Sequence, residues 1–223
     1  MDFVIAVDGQ AASGKGTLGA MLAADHGLPY LDTGLLYRAV AALVLEAGGD
    51  PDDAASAARA ASAFELEAVA DPALRGVVLG EAASRVAAHP EVRSRLLTLQ
   101  RDFAGQPGGA VLDGRDIGTV VAPQAPAKLW VEAAVEVRAE RRLRQLRTAG
   151  QAATLGEVLA DLRRRDARDA GRASAPMARP PDSVLLDTTD LSIPQSADAA
   201  RRIVEAARAG WIALREGGGS GAG

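Results

Sequence analysis

The sequence predicts an α/β fold in which parallel strands, buried on both faces, alternate with helices. Three observations carry that expectation. Five short apolar runs are spaced along the chain, and most are separated by stretches of helical periodicity. Four of the runs end in aspartate, at Asp8, Asp32, Asp113 and Asp187, and in open α/β sheets the carboxyl ends of strands are where ligands gather. Between the first run and the first helical stretch stands a glycine-bracketed loop, Gly9-Gln10-Ala11-Ala12-Ser13-Gly14-Lys15-Gly16-Thr17.

The elements follow in order. Phe3 to Val7 is a continuous apolar strand, and Leu18, Met21 and Leu22 give the stretch from Lys15 to Ala24 its helical period. Pro29 to Leu31 is a second strand, and Thr33 is placed to cap a helix carrying Tyr37, Arg38 and the run Val40 to Leu45. Gly48-Gly49 closes it, and a helix from Asp50-Pro51-Asp52 reaches about Ser62. Phe64 to Val69 alternates apolar and charged residues, Asp71-Pro72 supplies a turn, and Val77 to Leu79 can pair back, which predicts a small β-hairpin. Helices over Glu81 to Ala88 and Pro90 to Phe103 come next, divided at His89-Pro90. Strands at Ala110 to Asp113 and Lys128 to Val131 precede helices over Ala134 to Arg147 and Leu155 to about Ala170. Ser183 to Asp187 is the last strand and Pro194 to Arg215 the last helix, with a glycine-rich, disordered tail expected over 217–223.

The loop has a direct chemical meaning. Glycines at both ends let the backbone turn tightly, so that several N–H groups and the positive end of the following helix converge on one anion. Lys15 adds a full charge to that convergence, and the spacing Gly-x-x-x-x-Gly-Lys of a phosphate-binding loop is complete. Gly9, Ala12, Ser13, Gly14, Lys15, Gly16 and Thr17 are therefore the candidate phosphate-holding residues. The hydroxyl that commonly follows the lysine arrives one residue late, on Thr17. Asp8 and Asp113 flank the loop, and each fits two readings equally: organising hydrated magnesium or the loop, or a structural role.

Bulk properties narrow the class. A chain of 223 residues can bury one sizeable core. The absence of cysteine removes disulfide scaffolds and thiolate zinc sites, and no apolar run nears the roughly 20 residues of a membrane span. With no basic-then-apolar leader at the start, a cytoplasmic protein without membrane attachment is expected. A net charge of −4 argues against a nucleic-acid partner. Of the 25 basic residues only Lys15 and Lys128 are lysines, and arginine's planar fork suits phosphate and carboxylate.

Two arginine-rich helical stretches differ. Leu155, Val158, Leu159 and Leu162 form an apolar stripe, and Arg165, Arg168, Asp169 and Arg172 repeat its spacing on a nearby face. That face is either an anion-closing surface or a solvated, salt-bridged helix end. Arg138, Arg141, Arg142, Arg144 and Arg147 instead encircle their helix and read mostly as surface charge, with Glu140 and Arg144 an i, i+4 pair. His26 and His89 have no metal-ligand spacing and read as surface or packing residues, and Trp130 as a buried strand residue.

Gly-Lys-Gly-Thr is the spelling typical of nucleoside monophosphate kinases, and three further segments make the chain resemble bacterial cytidylate kinases in particular. They are Asp32-Thr33-Gly34-Leu35-Leu36-Tyr37-Arg38, Asp113-Gly114-Arg115-Asp116-Ile117-Gly118-Thr119-Val120-Val121, and Arg165-Asp166-Ala167-Arg168-Asp169-Ala170-Gly171-Arg172. The likeness runs over residues 3 to about 190. Two departures stand out: Gln10 where that family commonly has proline, and an insert read as shorter than usual between Leu79 and Ala82.

The resemblance implies a single kinase domain over 1–216 of the P-loop fold, with a five-stranded parallel sheet covered by helices. Its core would occupy about 1–49, 104–147 and 173–216, its NMP-binding insert with the hairpin about 50–103, and its short helical lid about 148–172. It implies ATP and Mg2+ as cofactors and CMP or dCMP as acceptor, with magnesium held through ATP and water near Asp8, Thr17 or Asp113. Lys15, Arg165 and Arg168 would be catalytic. Arg38 and Arg115 would hold the acceptor phosphate, Ser84, Arg93 and Asp116 the base, Asp169 and Arg172 the sugar hydroxyls, with Thr33 beside them. Cytosine's amino donor at N4, beside acceptors at N3 and O2, matches a carboxylate plus an arginine. A monomer is expected. A kinase of another monophosphate such as UMP, or of a small metabolite, shares loop and lid. A nucleotide-binding regulator is the rival from another class, although neither lysine lies in an Asn-Lys-x-Asp motif.

Overall fold

The computed structural model describes residues 2–217. In chain order they form β1 (Phe3–Gly9), α1 (Lys15–His26), β2 (Tyr30–Asp32), α2 (Thr33–Glu46), α3 (Ala54–Ala63), α4 (Val77–Val86), α5 (Pro90–Ala104), β3 (Gly109–Gly114), β4 (Ala127–Glu132), α6 (Val135–Thr148), α7 (Leu155–Ala170), β5 (Val184–Asp187) and α8 (Ile193–Gly217). The five strands make one parallel sheet in the order β2-β3-β1-β4-β5. The α/β fold and the five-stranded sheet are those the apolar runs predict. The tail expected to be disordered lies, beyond Gly217, outside the described residues.

Alternation along β1 explains the layering. Val4 and Ala6 face a core shared with α2, α4 and α5, whereas Phe3, Ile5 and Val7 face the core of α1 and α8. Ile5 and Val7 are fully buried, and each contributes about 1.5–3 kcal/mol by leaving water. A third, smaller core joins Ala11 of the glycine loop to Leu143 and Leu146 of α6 and Val158 and Leu162 of α7. Register puts Asp32 beside Asp113 and Asp8 beside Gly114, so three strand ends meet at one edge of the sheet. Among the described residues no helix is long and apolar enough to cross a membrane.

The predicted hairpin is absent. Residues Leu66–Ala70 and Pro72–Arg75 are short 3-10 helices, and α4 already begins at Val77. Asp71 starts the second of these turns by accepting the Ala73 N–H at 2.8 Å, with Pro72 fixing the first turn. Between the two expected strands, the carbonyls of Leu74 and Gly76 accept from Arg38 Nη1 at 2.8 and 2.7 Å. Helix α2 also starts differently: Asp32, not Thr33, is its cap and accepts from Gly34 N at 3.0 Å. After β3 the chain makes a π-helical turn over Ile117–Val121 that the sequence pattern does not announce.

Candidate active site

A cleft of about 640 Å3 opens at the carboxyl ends of the strands, between the glycine loop, α4, α5 and α7. Its floor is the loop. Gly9 allows the close approach to β4, since a Cβ there would stand 2.0 Å from the Val131 carbonyl oxygen. Gly14 is the left-handed cap of α1 with no side chain satisfying the first turn, which leaves those N–H groups to an incoming anion. Ala12 also has positive φ, at 60°, and lines the cleft with Gly14, Lys15, Gly16 and Thr17. Ser13 is buried and its Oγ has no hydrogen-bond partner among the described residues; neither it nor Gly9 lines the cleft.

Lys15 and Asp113 are the buried pair at the centre. Lys15 Nζ lies 3.7 Å from Asp113 Oδ2, and the Tyr30 hydroxyl donates to Asp113 Oδ1 at 2.6 Å. Burial, with Asp32 beside it, pushes the Asp113 carboxyl up to about 6. Burial, with the nearby Arg115 charge, draws Lys15 down to about 8. Thr33 donates to the Asp113 carbonyl at 2.7 Å, which fixes the start of α2 against the end of β3.

Asp8 takes a structural place in the turn after β3. It is 1% exposed and accepts the N–H groups of Ile117 and Gly118 at 2.8 and 2.7 Å. Both its oxygens accept from the turn after β3 and it does not line the cleft, which fits the structural one of its two readings. By capping the turn from another strand, it spares Asp116, whose side chain makes no cap bond there. Asp116 instead meets Arg93 Nη2 in a short buried ion pair, and Arg93 also lies over the Tyr37 ring at 5.6 Å. Burial pushes Asp8 up to about 7 despite the two backbone donors.

The far wall centres on Asp169. Ser84 Oγ donates to Asp169 Oδ1 at 3.0 Å and Arg115 Nε to Oδ2 at 3.1 Å, while Arg165 Nε and Arg172 Nη1 stand 4.0 and 3.8 Å from the carboxylate. Burial alone would raise the pKa of Asp169, but the guanidinium groups of Arg115, Arg165 and Arg172 hold it below the usual carboxylate range. Arg165 is drawn down to about 10 by burial and by Arg115, which leaves it charged at neutral pH. Arg93 Nη1, Arg165 Nε, and Nε and Nη2 of Arg172 are buried without a hydrogen-bond partner among the described residues. Such donors are costly unless an anion or another acceptor completes them.

The structure thus brings Lys15, Thr33, Arg38, Ser84, Arg93, Arg115, Asp116, Arg165, Asp169 and Arg172 to one cleft. Arg168 is not among its lining residues; it pairs with Glu81 of α4 at 2.7 Å, a second link from α7 to α4 beside Ser84–Asp169. Among the described residues no group of three or more His, Cys, Asp or Glu is arranged to hold a metal ion. Thr17, exposed on the first turn, and Asp113 both line the cleft beside the loop.

Three arginines of α6 depart from the surface reading. Arg138 is buried, Arg141 donates to the Thr188 carbonyl at 2.6 Å, and Arg142 lines the cleft with Gln145 of the same helix. Arg144 and Arg147 are exposed, and Arg144 Nε points to the Glu140 carbonyl at 3.5 Å rather than to its carboxylate. Trp130 is a buried strand residue as expected. Tyr30 and Tyr37 also belong to the cleft, where one holds Asp113 and the other carries Arg93.

Fold and cleft together define a P-loop kinase of the nucleoside monophosphate type. The profile of the cytidylate kinase family matches residues 5–207. A cytidylate kinase from a Caulobacter species is 59% identical over 211 residues, covering 95% of this chain and 98% of that protein. The cytidylate kinase of Xanthobacter autotrophicus is 59% identical over 207 residues, covering 93% and 99%. A crystal structure of an uncharacterized protein from Eubacterium ventriosum has the same fold, with a TM-score of 0.54 at 14% identity, covering 94% of this chain and 99% of that one. The chain belongs to the cytidylate kinase family.

Proposed function

We propose that the cleft binds ATP against the glycine loop and CMP or dCMP against α4, α5 and the segment after β3, and transfers the γ-phosphoryl group directly between them. ATP-dependent phosphorylation of CMP is the activity that membership of this family brings. The observation that carries the residue assignment is the cationic lining: Lys15, Arg38, Arg93, Arg115, Arg142, Arg165 and Arg172 face four aspartates in a protein of net charge −4. A surplus of cations in an acidic protein suits a crowd of phosphate oxygens. Because the acceptor is already an anion, alignment and charge neutralisation supply the catalysis and no general base is required.

In this reading Lys15 and the loop N–H groups hold the ATP phosphates. Arg38 and Arg115 take the CMP phosphate, and Arg165, with Arg168 when the lid repositions it, closes on the transferred group. Ser84, Arg93 and Asp116 meet the base; Asp169 and Arg172 meet the sugar. Thr17, with Asp113 through water, would hold a magnesium ion carried by ATP, which would supply charge neutralisation for the phosphates. The core, the insert at about 50–103 and the lid at about 148–172 would be parts of one monomeric, cytoplasmic enzyme without nucleic-acid or membrane partners.

Initial rates with ATP and each of CMP, dCMP, UMP, AMP and GMP test the assignment. CMP, then dCMP, is expected to give the highest kcat/KM. Equal rates with UMP would remove the base contacts from the account.

A further inference from the structure

Arg138 lies outside the cleft, is 3% exposed, and joins three segments distant in sequence. Its Nε donates to the Ala133 carbonyl at 2.9 Å, ahead of α6. Its Nη1 donates to the Ala11 carbonyl of the glycine loop at 3.1 Å and pairs with Asp166 Oδ2 of α7 at 2.8 Å. Asp166 continues the apolar stripe of α7, four residues after Leu162, and so faces α6 and the loop, while Arg165 and Asp169 face the cleft. Arg141, one turn along α6, adds a longer contact from Nη1 to the Ser13 carbonyl at 3.4 Å. The carbonyls on either side of Ala12, the non-glycine residue held at positive φ, are thus tied toward α6.

We infer that Arg138 is a positioning residue that makes the seating of the lid helix and the shape of the glycine loop one equilibrium, through a guanidinium shared by Asp166 and the Ala11 carbonyl. With the carbonyls drawn outward, the loop N–H groups turn toward the cleft. Seating α7 brings the Asp166 carboxylate to the same guanidinium and holds it in place. Lid position therefore reports to the ATP subsite from behind, through neither substrate. This rests on the reading that ATP phosphates occupy the loop.

The test is a double-mutant cycle of Asp166→Asn, Arg138→Met and the double variant. It reads KM and kcat for ATP, the CMP dissociation constant measured calorimetrically without ATP, and Tm. Asp166→Asn removes the charge while keeping the shape, so it serves if Arg138→Met does not fold. Each single variant is expected to raise KM for ATP and lower kcat, with kcat/KM for ATP falling roughly ten- to a hundredfold as the loop loses its geometry. CMP affinity, which α7 reaches through Asp169 and Arg172, should fall clearly less than kcat/KM for ATP, and the double variant should be no worse than the weaker single. An unchanged KM for ATP in folded Asp166→Asn, additive effects, or an equal loss of CMP affinity would overturn the inference. Wild-type turnover of CMP tests the underlying reading separately.

Discussion

Lys15 Nζ stands 3.7 Å from Asp113 Oδ2, so the cation that opens the first helix and the carboxylate near the end of β3 share one buried site. Their opposite shifts frame the pH range in which the pair is ionised. Asp113 sits at about 6 and Lys15 at about 8. The profile of kcat/KM for ATP, which reports the free enzyme, should therefore fall as pH rises above about 8. Lys15→Arg should move that limb upward, because arginine keeps its charge. A flat profile to pH 10 in the wild type would contradict the role given to Lys15.

Lys15→Ala should lower kcat by about 10²–10³, the scale for loss of one fixed charge or donor at a developing anion. The fold should survive, because no core residue is lost; near-UV circular dichroism and kcat measured together check this.

In the proposed reading the buried Arg93 and Asp116 ion pair meets the base. Asp116→Ala should reduce the preference for CMP over UMP by about 1–3 kcal/mol, the cost of leaving a buried partner unsatisfied. The ratio of kcat/KM values for the two substrates is the readout, and an unaltered ratio removes Asp116 from base recognition.

Asp8 carries a stability signature. Its pKa is raised from 3.8 to about 7, so the folded chain keeps a proton there that the unfolded chain has released. Its contribution to stability is present below pH 4 and is lost as pH rises toward 7. Denaturant unfolding of wild type and Asp8→Asn across that interval should show the variant gaining relative stability with pH. A pH-independent difference would mean that Asp8 is ionised throughout.

The strands and the loop are legible in the sequence because each is local. An apolar run closed by aspartate or glycine has few alternatives, and the glycine loop is a contiguous motif. What the sequence conceals is non-local. The period-two alternation of Phe64 to Val69 fits a strand, yet the backbone carbonyls that follow are taken by Arg38 of α2, more than thirty residues earlier in the chain. Arginines that encircle α6 give no asymmetry to mark Arg138 as buried; only the meeting of Ala11, Ala133 and Asp166 does so. Asp8 caps a turn 109 residues away, which no spacing rule reaches. The arginines of α7 were visible as a charged face, but whether that face was solvated or turned on a cleft depended on Asp169 gathering Ser84, Arg115 and Arg172 around it.

The most direct test of phosphoryl transfer from ATP to CMP is the stoichiometry of ATP loss with and without CMP, followed by phosphorus NMR. One CDP and one ADP should form for each ATP consumed, and ATP should persist when CMP is withheld. Consumption of ATP at the same rate without CMP, with release of inorganic phosphate, would contradict the account.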